Sequence, residues 1–206
     1  MKIGMIGHFG ANKKCFDGQT IKTIELKNYL EKYFKTKLDL FDTYQISKNI
    51  FQIILKINKL LKSNDVVIVS VANRGYQVIT PIINFLNKFY NKKLIEVVIG
   101  GTRYNLLSKH PLLAKFAKKY KLILVETNKM KEENLKQKFS NVEVMPNFKS
   151  LVKGKYHKTK EPIKLCTFSR IIKEKGIDDA IKAVIKANSD LGSNIFSLDI
   201  YGEVAK

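Results

Sequence analysis

Short apolar runs alternate along the chain with longer segments in which apolar residues recur every three to four positions. Continuous runs such as Val66–Val69 and Leu122–Val125 are typical of parallel strands that are buried on both faces. The longer segments have the periodicity of amphipathic helices. The predicted strands cover residues 2–7, 38–42, 66–69, 94–99, 122–125 and 142–145. The predicted helices cover residues 20–30, 46–61, 79–90 and 128–139, and a further helix is predicted within residues 106–119, with Pro111 as its candidate start. Successive strand–helix pairs predict an α/β fold with a doubly wound, parallel, Rossmann-like sheet.

Residues 1–147 contain all of these elements and form the predicted first domain. Residues 148–162 are rich in lysine and contain no acidic residue before Glu161, which predicts a linker. A second unit follows over residues 163–206, with a strand at 163–168, a helix that ends near residue 188 and a strand at 196–201. One strand–helix–strand unit is too small to bury a core by itself. We therefore expect residues 163–206 to be the truncated start of a second α/β domain.

The chain is strongly basic, since 38 lysine and arginine residues against 18 acidic ones give a net charge of +20. Such a surface attracts nucleic acid, anionic lipid or phosphorylated ligands, although lysines on helix faces also serve solubility alone. No apolar run is long enough for a transmembrane helix. A strand begins directly at the N-terminus without a signal-peptide pattern, which predicts a cytoplasmic protein. The two cysteines lack the spacing of metal ligands.

Two cations flank the loop between the strand and the helix of the second unit. Arg170 follows the strand, and Lys175 precedes Gly176 and the helix. Open α/β sheets bind ligands at the carboxyl ends of their strands, where this loop is expected to lie. Arginine offers a planar fork of N–H groups and lysine a point charge, and together they suit a diphosphate. The alternative is a pair of solvated cations on an ordinary loop.

A glycine-containing loop after the first strand is the second candidate site. Its glycines do not form the G-x-G-x-x-G pattern, which argues against a nicotinamide-type dinucleotide site. Gly18 has no Cβ atom, so backbone there could approach a ligand closely, and the amides near Gln19 and Thr20 could face an anion. Thr20 is also a plausible N-cap of the following helix, with Thr23 as the alternative. His8 lies directly after the strand, at the edge where ligands bind.

Several short segments resemble the GT-B glycosyltransferases of family 4. The Ser-Arg-(x)4-Lys-Gly segment at 169–176 is similar to the Gly-Arg-(x)4-Lys-Gly segment that opens the second domain of that family, with Ser169 in place of the usual glycine. The Asp-Gly-Gln-Thr loop at 17–20 is similar to a bacterial polysaccharide-synthesis subgroup, and Pro146-Asn147 resembles the crossing between the two domains. The resemblance implies that Arg170 and Lys175 bind the diphosphate of a nucleotide-sugar, with Gly202 and the loop at 18–20 near the nucleotide or donor.

The activity implied by the resemblance is transfer of a sugar from a nucleotide-sugar to a glycan or a lipid-linked acceptor, with retention of the anomeric configuration. It requires neither a metal nor a resident cofactor. The first domain would bind the acceptor, with His8 and Arg103 as candidate contacts. Its basic surface would suit peripheral binding at the inner, anionic face of the cell membrane.

The chain departs from the family pattern in two places. The loop after the fourth strand, Gly100-Gly-Thr-Arg103, lacks the histidine that many members carry there, and no Glu-(x)7-Glu pair is present. We therefore assign no catalytic acid or base, and expect a homodimer or a partner subunit to complete the second domain. Two other interpretations stay open, a basic nucleic-acid-binding α/β module and a noncatalytic nucleotide-binding subunit.

Overall fold

The structure, a computed structural model, describes residues 1–11, 17–44, 49–151, 154 and 161–204. It consists of two compact units, Met1–Leu151 and Val152–Lys206. Most of the predicted linker, residues 152–153 and 155–160, lies outside the described residues. Ile46, the predicted start of the second helix, lies outside them as well.

The first unit is built on a six-stranded sheet in which every pair of neighbouring strands is parallel. Its strands are β1 (Ile3–Gly7), β2 (Asp39–Asp42), β3 (Val66–Ser70), β4 (Lys93–Val97), β5 (Leu122–Val125) and β6 (Val142–Val144). The strand order is β2-β1-β3-β4-β5-β6. The chain therefore changes direction across the sheet between β1 and β3, which is the position where doubly wound sheets bind ligands. The predicted fold class, an α/β protein with a Rossmann-like parallel sheet, is confirmed.

In the described part of the first unit, six helices flank this sheet. They are α1 (Gly18–Phe34), α2 (Ile50–Ser63), α3 (Asn73–Tyr90), α4 (Arg103–Lys109), α5 (Pro111–Ala117) and α6 (Asn128–Lys136). Helix α3 begins six residues before its predicted start, so that Pro81 lies inside the helix rather than in its first turn. Tyr76 and Ile79, in the first turns of α3, are buried. Their packing in the core offsets the hydrogen bond that proline cannot make.

The two faces of the sheet carry cores of different size. The larger core contains apolar residues of α2, α3, α4, α5 and α6, whereas the smaller one is formed by Leu26 of α1 with residues of β1, β3 and β4. Among the described residues, α1 is the only helix that contributes to the smaller core. An apolar groove of about 450 Å³ remains beside α1, and Ile95, Leu124, Met145 and Phe148 are among its lining residues.

The second unit pairs two parallel strands, β7 (Ile163–Phe168) and β8 (Phe196–Tyr201), and both have the predicted bounds. A short 3-10 turn at Lys173–Lys175 leads into α7 (Ile177–Asp190). Among the described residues of this unit, Ile177 alone is classed as buried. The unit thus has the strand–helix–strand form expected from the sequence, with most of its apolar side chains at least partly exposed.

Candidate ligand-binding cleft and cationic loop

A cleft of about 620 Å³ lies in the first unit, where the chain changes direction between β1 and β3. Segments that follow β1, β2, β3 and β4 form its walls, together with the start of α1. The lining residues are His8, Gln19, Thr43, Val71, Ala72, Asn73, Arg74, Gly75, Ile99, Gly100 and Thr102. This mixture of amide, hydroxyl, imidazole and guanidinium groups over an apolar floor is typical of a site for a polar organic ligand.

His8 is one of the two sequence-predicted site residues that line the cleft. Its Nδ1 lies 2.5 Å from Thr20 Oγ1, and the Thr20 hydroxyl donates to Asp17 Oδ2 at 2.6 Å. The ring of Tyr44 meets the His8 ring edge-on, with 5.2 Å between the ring centres. Thr20 and Tyr44 therefore hold the imidazole from two sides, directly after the carboxyl end of β1.

Gln19 is the second predicted site residue in the cleft, whereas its neighbours have other roles. Thr20 is fully buried, and its hydroxyl is shared between Asp17 and His8. The helix cap is Asp17, not Thr20 or Thr23, because Asp17 Oδ1 accepts from the Thr20 backbone N–H at 3.0 Å. A Cβ atom at Gly18 would meet no atom within 4 Å, so no close backbone contact within the protein requires glycine there.

Arg74 is the arginine that lines the cleft, whereas the sequence predicted Arg103 as the arginine that contacts the acceptor. Arg74 is exposed in the first turn of α3 and lines the cleft. Its neighbour Asn73 donates from Nδ2 to Thr102 Oγ1 at 2.9 Å, which joins the start of α3 to the loop after β4. Arg74 is not among the site residues predicted from the sequence. The available signal was its position directly after a fully buried strand, where functional loops are found.

Arg103 does not present its guanidinium to the cleft, which corrects its assignment as an acceptor contact. The side chain is buried and donates to both carboxylate oxygens of Glu96 and, at 2.6 Å, to Asn134 Oδ1. Tyr76 donates its hydroxyl to the same carboxylate at 3.1 Å. Burial raises the pKa of Tyr76 well above its ordinary value, and the charge of Glu96 adds to the effect. Arg103 is thus a structural residue, and each of its three guanidinium nitrogens donates within the protein.

A buried lysine connects α1 to the carboxyl ends of two strands. Lys22 donates from Nζ to the Glu126 carboxylate at 2.7 Å and to the carbonyl of Val98 at 3.2 Å. Glu126 follows β5 and Val98 follows β4, so this pair anchors the helix that carries Gln19 against the wall of the cleft. Its sequence signal is weak, because lysine in a helix is ordinarily exposed.

The second unit presents the predicted cation pair on its surface. Arg170 and Lys175 are both exposed, and the segment between β7 and α7 carries both. Gly176 has a φ of 67° and forms the N-cap of α7, so the first N–H groups of the helix donate to no capping side chain. The arrangement places two cations and the positive end of a helix after the same strand. This is a geometry in which oxygen atoms of a phosphorylated ligand are stabilised.

Gly202 is required by a close approach of two loops within the second unit. A Cβ atom at this position would lie 1.7 Å from the carbonyl oxygen of Ser169, far inside the contact distance. The segment after β8 therefore runs against the segment that carries Ser169 and Arg170. Glycine at 202 allows this approach, and its predicted place near the nucleotide stays a prediction.

No protein-family profile and no curated protein matches this chain. Within the described ranges, no group of three or more His, Cys, Asp or Glu side chains could hold a metal ion. In the same part of the chain, no helix is both long and apolar enough to cross a membrane.

Proposed function

We propose that this chain is the acceptor-binding α/β domain of a retaining GT-B glycosyltransferase of family 4, joined to the first strand–helix–strand unit of the donor-binding domain. The observation that carries the proposal is the cationic loop of the second unit. Arg170 and Lys175 are exposed after β7 and before α7, in the spacing that resembles the donor-diphosphate segment of that family.

The chemistry proposed for the cationic loop is stabilisation of the leaving nucleoside diphosphate. When the bond between the sugar and the diphosphate breaks, negative charge grows on the diphosphate oxygens. A guanidinium, an ammonium and the N-terminus of α7 would stabilise that charge without a metal. The acceptor would bind in the cleft of the first unit, where neutral polar groups and Arg74 suit a glycan or a lipid-linked sugar phosphate.

The test of this proposal is the binding of nucleoside diphosphates to the chain, measured by calorimetry with UDP, GDP and ADP. A charge-assisted hydrogen bond contributes roughly 1.5–3 kcal/mol, so Arg170→Ala and Lys175→Ala should each weaken the preferred diphosphate by about tenfold to a hundredfold. Lys182→Ala removes an equally exposed lysine of α7 and serves as the control. Diphosphate binding that both loop variants leave unchanged would contradict the proposal.

The open surfaces of the second unit suit pairing with a second copy or a partner subunit. Phe168 is 88% exposed at the end of β7, and Tyr201 is 52% exposed at the end of β8. A two-stranded parallel sheet with one helix is marginal by itself, and unpaired strand edges favour pairing with another chain. Size-exclusion chromatography with light scattering should therefore show a dimer or larger species. A strictly monomeric chain at micromolar concentration would rule out the homodimer.

The surface of α3 supports peripheral binding to an anionic membrane. Phe85 and Phe89 are 56% and 75% exposed and contact each other edge-on, with 6.1 Å between the ring centres. Lys88 Nζ lies 5.7 Å from the Phe85 ring centre. Exposed aromatic rings beside lysines are typical of helices that lie at the interface of anionic bilayers.

Vesicle flotation tests the membrane surface. We expect the chain to float with vesicles that contain phosphatidylglycerol and not with pure phosphatidylcholine. Replacing both Phe85 and Phe89 with serine should lower the bound fraction by about tenfold, because each ring loses apolar burial in the bilayer. Tyr33→Ser, on α1, is the matched control, since Tyr33 is 68% exposed and α1 packs on the other face of the sheet. Equal flotation with both kinds of vesicle would refute anionic membrane binding.

A further inference from the structure

We infer that the hydrogen bonds from His8 to Thr20 and from Thr20 to Asp17 fix the His8 ring with its proton on Nδ1. Nε2 then faces the cleft as a hydrogen-bond acceptor for a ligand hydroxyl group. The sequence names His8 only as a candidate contact, and the inference adds which ring nitrogen meets the ligand and in which hydrogen-bonding role. It rests on the proposed function only where it identifies the hydroxyl-bearing ligand as a glycan.

The direction of the hydrogen bonds follows from counting protons. The Thr20 hydroxyl has a single proton, and its oxygen lies 2.6 Å from Asp17 Oδ2 and 2.5 Å from His8 Nδ1. An ionised carboxylate can only accept, so the hydroxyl proton must point to Asp17. Thr20 Oγ1 is then an acceptor toward the imidazole, and Nδ1 must carry the proton.

Asp17 is held in the ionised state that this argument requires. Partial burial raises the pKa of its carboxyl group, but the hydrogen bonds from the Thr20 hydroxyl and backbone N–H, together with the charge of protonated His8, lower it below the ordinary value of 3.8. The carboxylate also accepts the Thr20 N–H at 3.0 Å as the cap of α1. Both of its oxygens are therefore engaged as acceptors at neutral pH.

The second ring nitrogen is left for a ligand. Among the described residues, no group makes a hydrogen bond to His8 Nε2, and the His8 side chain lines the cleft. In the neutral imidazole with Nδ1 protonated, Nε2 carries a lone pair and no proton. It can accept from a hydroxyl or an N–H group, whereas it offers nothing to a phosphate oxygen.

The cleft thereby combines an acceptor with donors. His8 Nε2 would accept from a ligand hydroxyl, while Arg74 and the amide of Gln19, which line the same cleft, can donate to ligand oxygens. A sugar hydroxyl is both a donor and an acceptor, so a polyol satisfies this pattern better than a simple anion does. A buried hydroxyl-binding group also discriminates strongly against analogues that lack the hydroxyl.

The tautomer can be measured directly by two-bond ¹H–¹⁵N correlation spectroscopy of the full chain at neutral pH. The chain has three histidines, and the His8 signals are assigned by their loss in His8→Gln. We expect Nδ1 to be the protonated nitrogen and Nε2 the unprotonated one. A wild-type His8 protonated on Nε2 would overturn the inference, whatever the outcome of the diphosphate experiments.

Asp17→Asn is the most informative variant, because it should reverse the direction of the hydrogen bonds that connect residues 17, 20 and 8. The side-chain amide that this substitution introduces can cap α1 through its oxygen and donate through its nitrogen to Thr20 Oγ1. The Thr20 hydroxyl must then donate to His8 Nδ1, so the proton of His8 moves to Nε2. Thr20→Ser keeps the hydroxyl and should keep the wild-type tautomer. If folded Asp17→Asn kept the wild-type His8 tautomer, the hydrogen bonds through Thr20 would not determine it, and the inference would be contradicted.

D-Glucose serves as the hydroxyl probe. In the wild type, the Nε2 resonance should shift toward lower frequency as it accepts a hydrogen bond from the sugar, and Asp17→Asn should lose this shift. An Nε2 resonance that does not respond in the wild type, or that responds equally in both proteins, would overturn the role in hydroxyl recognition. Neither measurement requires a nucleotide-sugar, so its failure is distinct from failure of the proposed transfer activity.

Discussion

Replacing Arg103 with methionine should destabilise the first unit more than any surface substitution. The guanidinium is buried between β4 and α6, where it donates to both oxygens of Glu96 and to Asn134. Glu96 is only 2% exposed. Methionine fills a similar volume, but it leaves the carboxylate in the interior with the Tyr76 hydroxyl as its one remaining donor among the described residues.

The magnitude follows from the difference between removing one charge and removing both. Breaking a buried ion pair by deleting one partner costs roughly 3–5 kcal/mol, since the other charge remains desolvated. Removing both, in Glu96→Met with Arg103→Met, leaves only neutral groups without partners. These are the Tyr76 hydroxyl and the Asn134 amide oxygen, each of which costs about 1–3 kcal/mol when buried and unsatisfied. The Asn134 oxygen already loses its donor in Arg103→Met, so the second substitution only replaces a buried carboxylate by an unpaired Tyr76 hydroxyl. The double variant should therefore be no less stable than Arg103→Met, and its total loss should fall well short of the sum of the two single losses.

The assay is urea unfolding of the full chain, monitored by hydrogen exchange with mass spectrometry. Peptides that cover β4 report the opening of the six-stranded sheet, which separates this transition from that of the second unit. The four proteins of the double-mutant cycle give the coupling free energy directly.

An exposed ion pair provides the control. Lys131 donates to Glu143 at 2.8 Å, and the two side chains are 33% and 64% exposed. Lys131→Met should change the free energy of unfolding by less than about 1 kcal/mol, because exposed pairs contribute little. The reasoning would be refuted if Arg103→Met cost no more than this control, or if the losses at positions 96 and 103 were simply additive.

Three further substitutions test local features. Asp17→Ala should cost about 1 kcal/mol of stability through loss of the α1 cap. Partial burial raises the pKa of Asp17, but the hydrogen bonds from Thr20 lower it below 3.8 in the folded protein. In urea unfolding at several pH values, the advantage of the wild type should therefore be present above pH 3.8 and fade as the pH falls through the lower folded pKa. Gly202→Ala should disorder the segment after β8, seen as faster amide exchange there, because its Cβ would overlap the Ser169 carbonyl. Gly7→Ala should cost roughly 1–3 kcal/mol in urea unfolding, since the new methyl group would lie 2.6 Å from a threonine methyl of α1.

The strands were the part of the fold most open to prediction. Parallel strands buried on both faces give uninterrupted apolar runs, and this signal is independent of the rest of the fold. Helix starts were less predictable because they depend on which side chain reaches which backbone N–H. Asp17 and Thr20 are both good capping residues, and only the backbone geometry shows that Asp17 accepts from Thr20. The early start of α3 has a similar cause, since burial of Tyr76 outweighs the local effect of Pro81.

The site was only partly predictable. His8 and Gln19 were found because residues just after a strand or at a helix start face the ligand edge of a parallel sheet. The same rule failed for Arg103, which also follows a strand exit. A signal for its true role was present in the sequence, since Glu96 interrupts an apolar strand and a buried carboxylate requires a nearby cation. Which cation it takes depends on the packing of α4, which no local pattern specifies.

The buried Glu96–Arg103 ion pair is connected to the cleft through the residues that flank it. Arg103 follows Thr102, which lines the cleft and accepts from Asn73, and Tyr76 connects Glu96 to the first turn of α3. Glu96 therefore holds both the loop after β4 and the start of α3, the two segments that form one wall of the cleft. A pair of apolar residues could pack in its place but would not fix these segments in register. We expect the Glu96→Met, Arg103→Met double variant to regain stability relative to the additive loss and yet show faster amide exchange at Gly100–Thr102. Slow, wild-type exchange there would mean that packing alone positions the cleft wall.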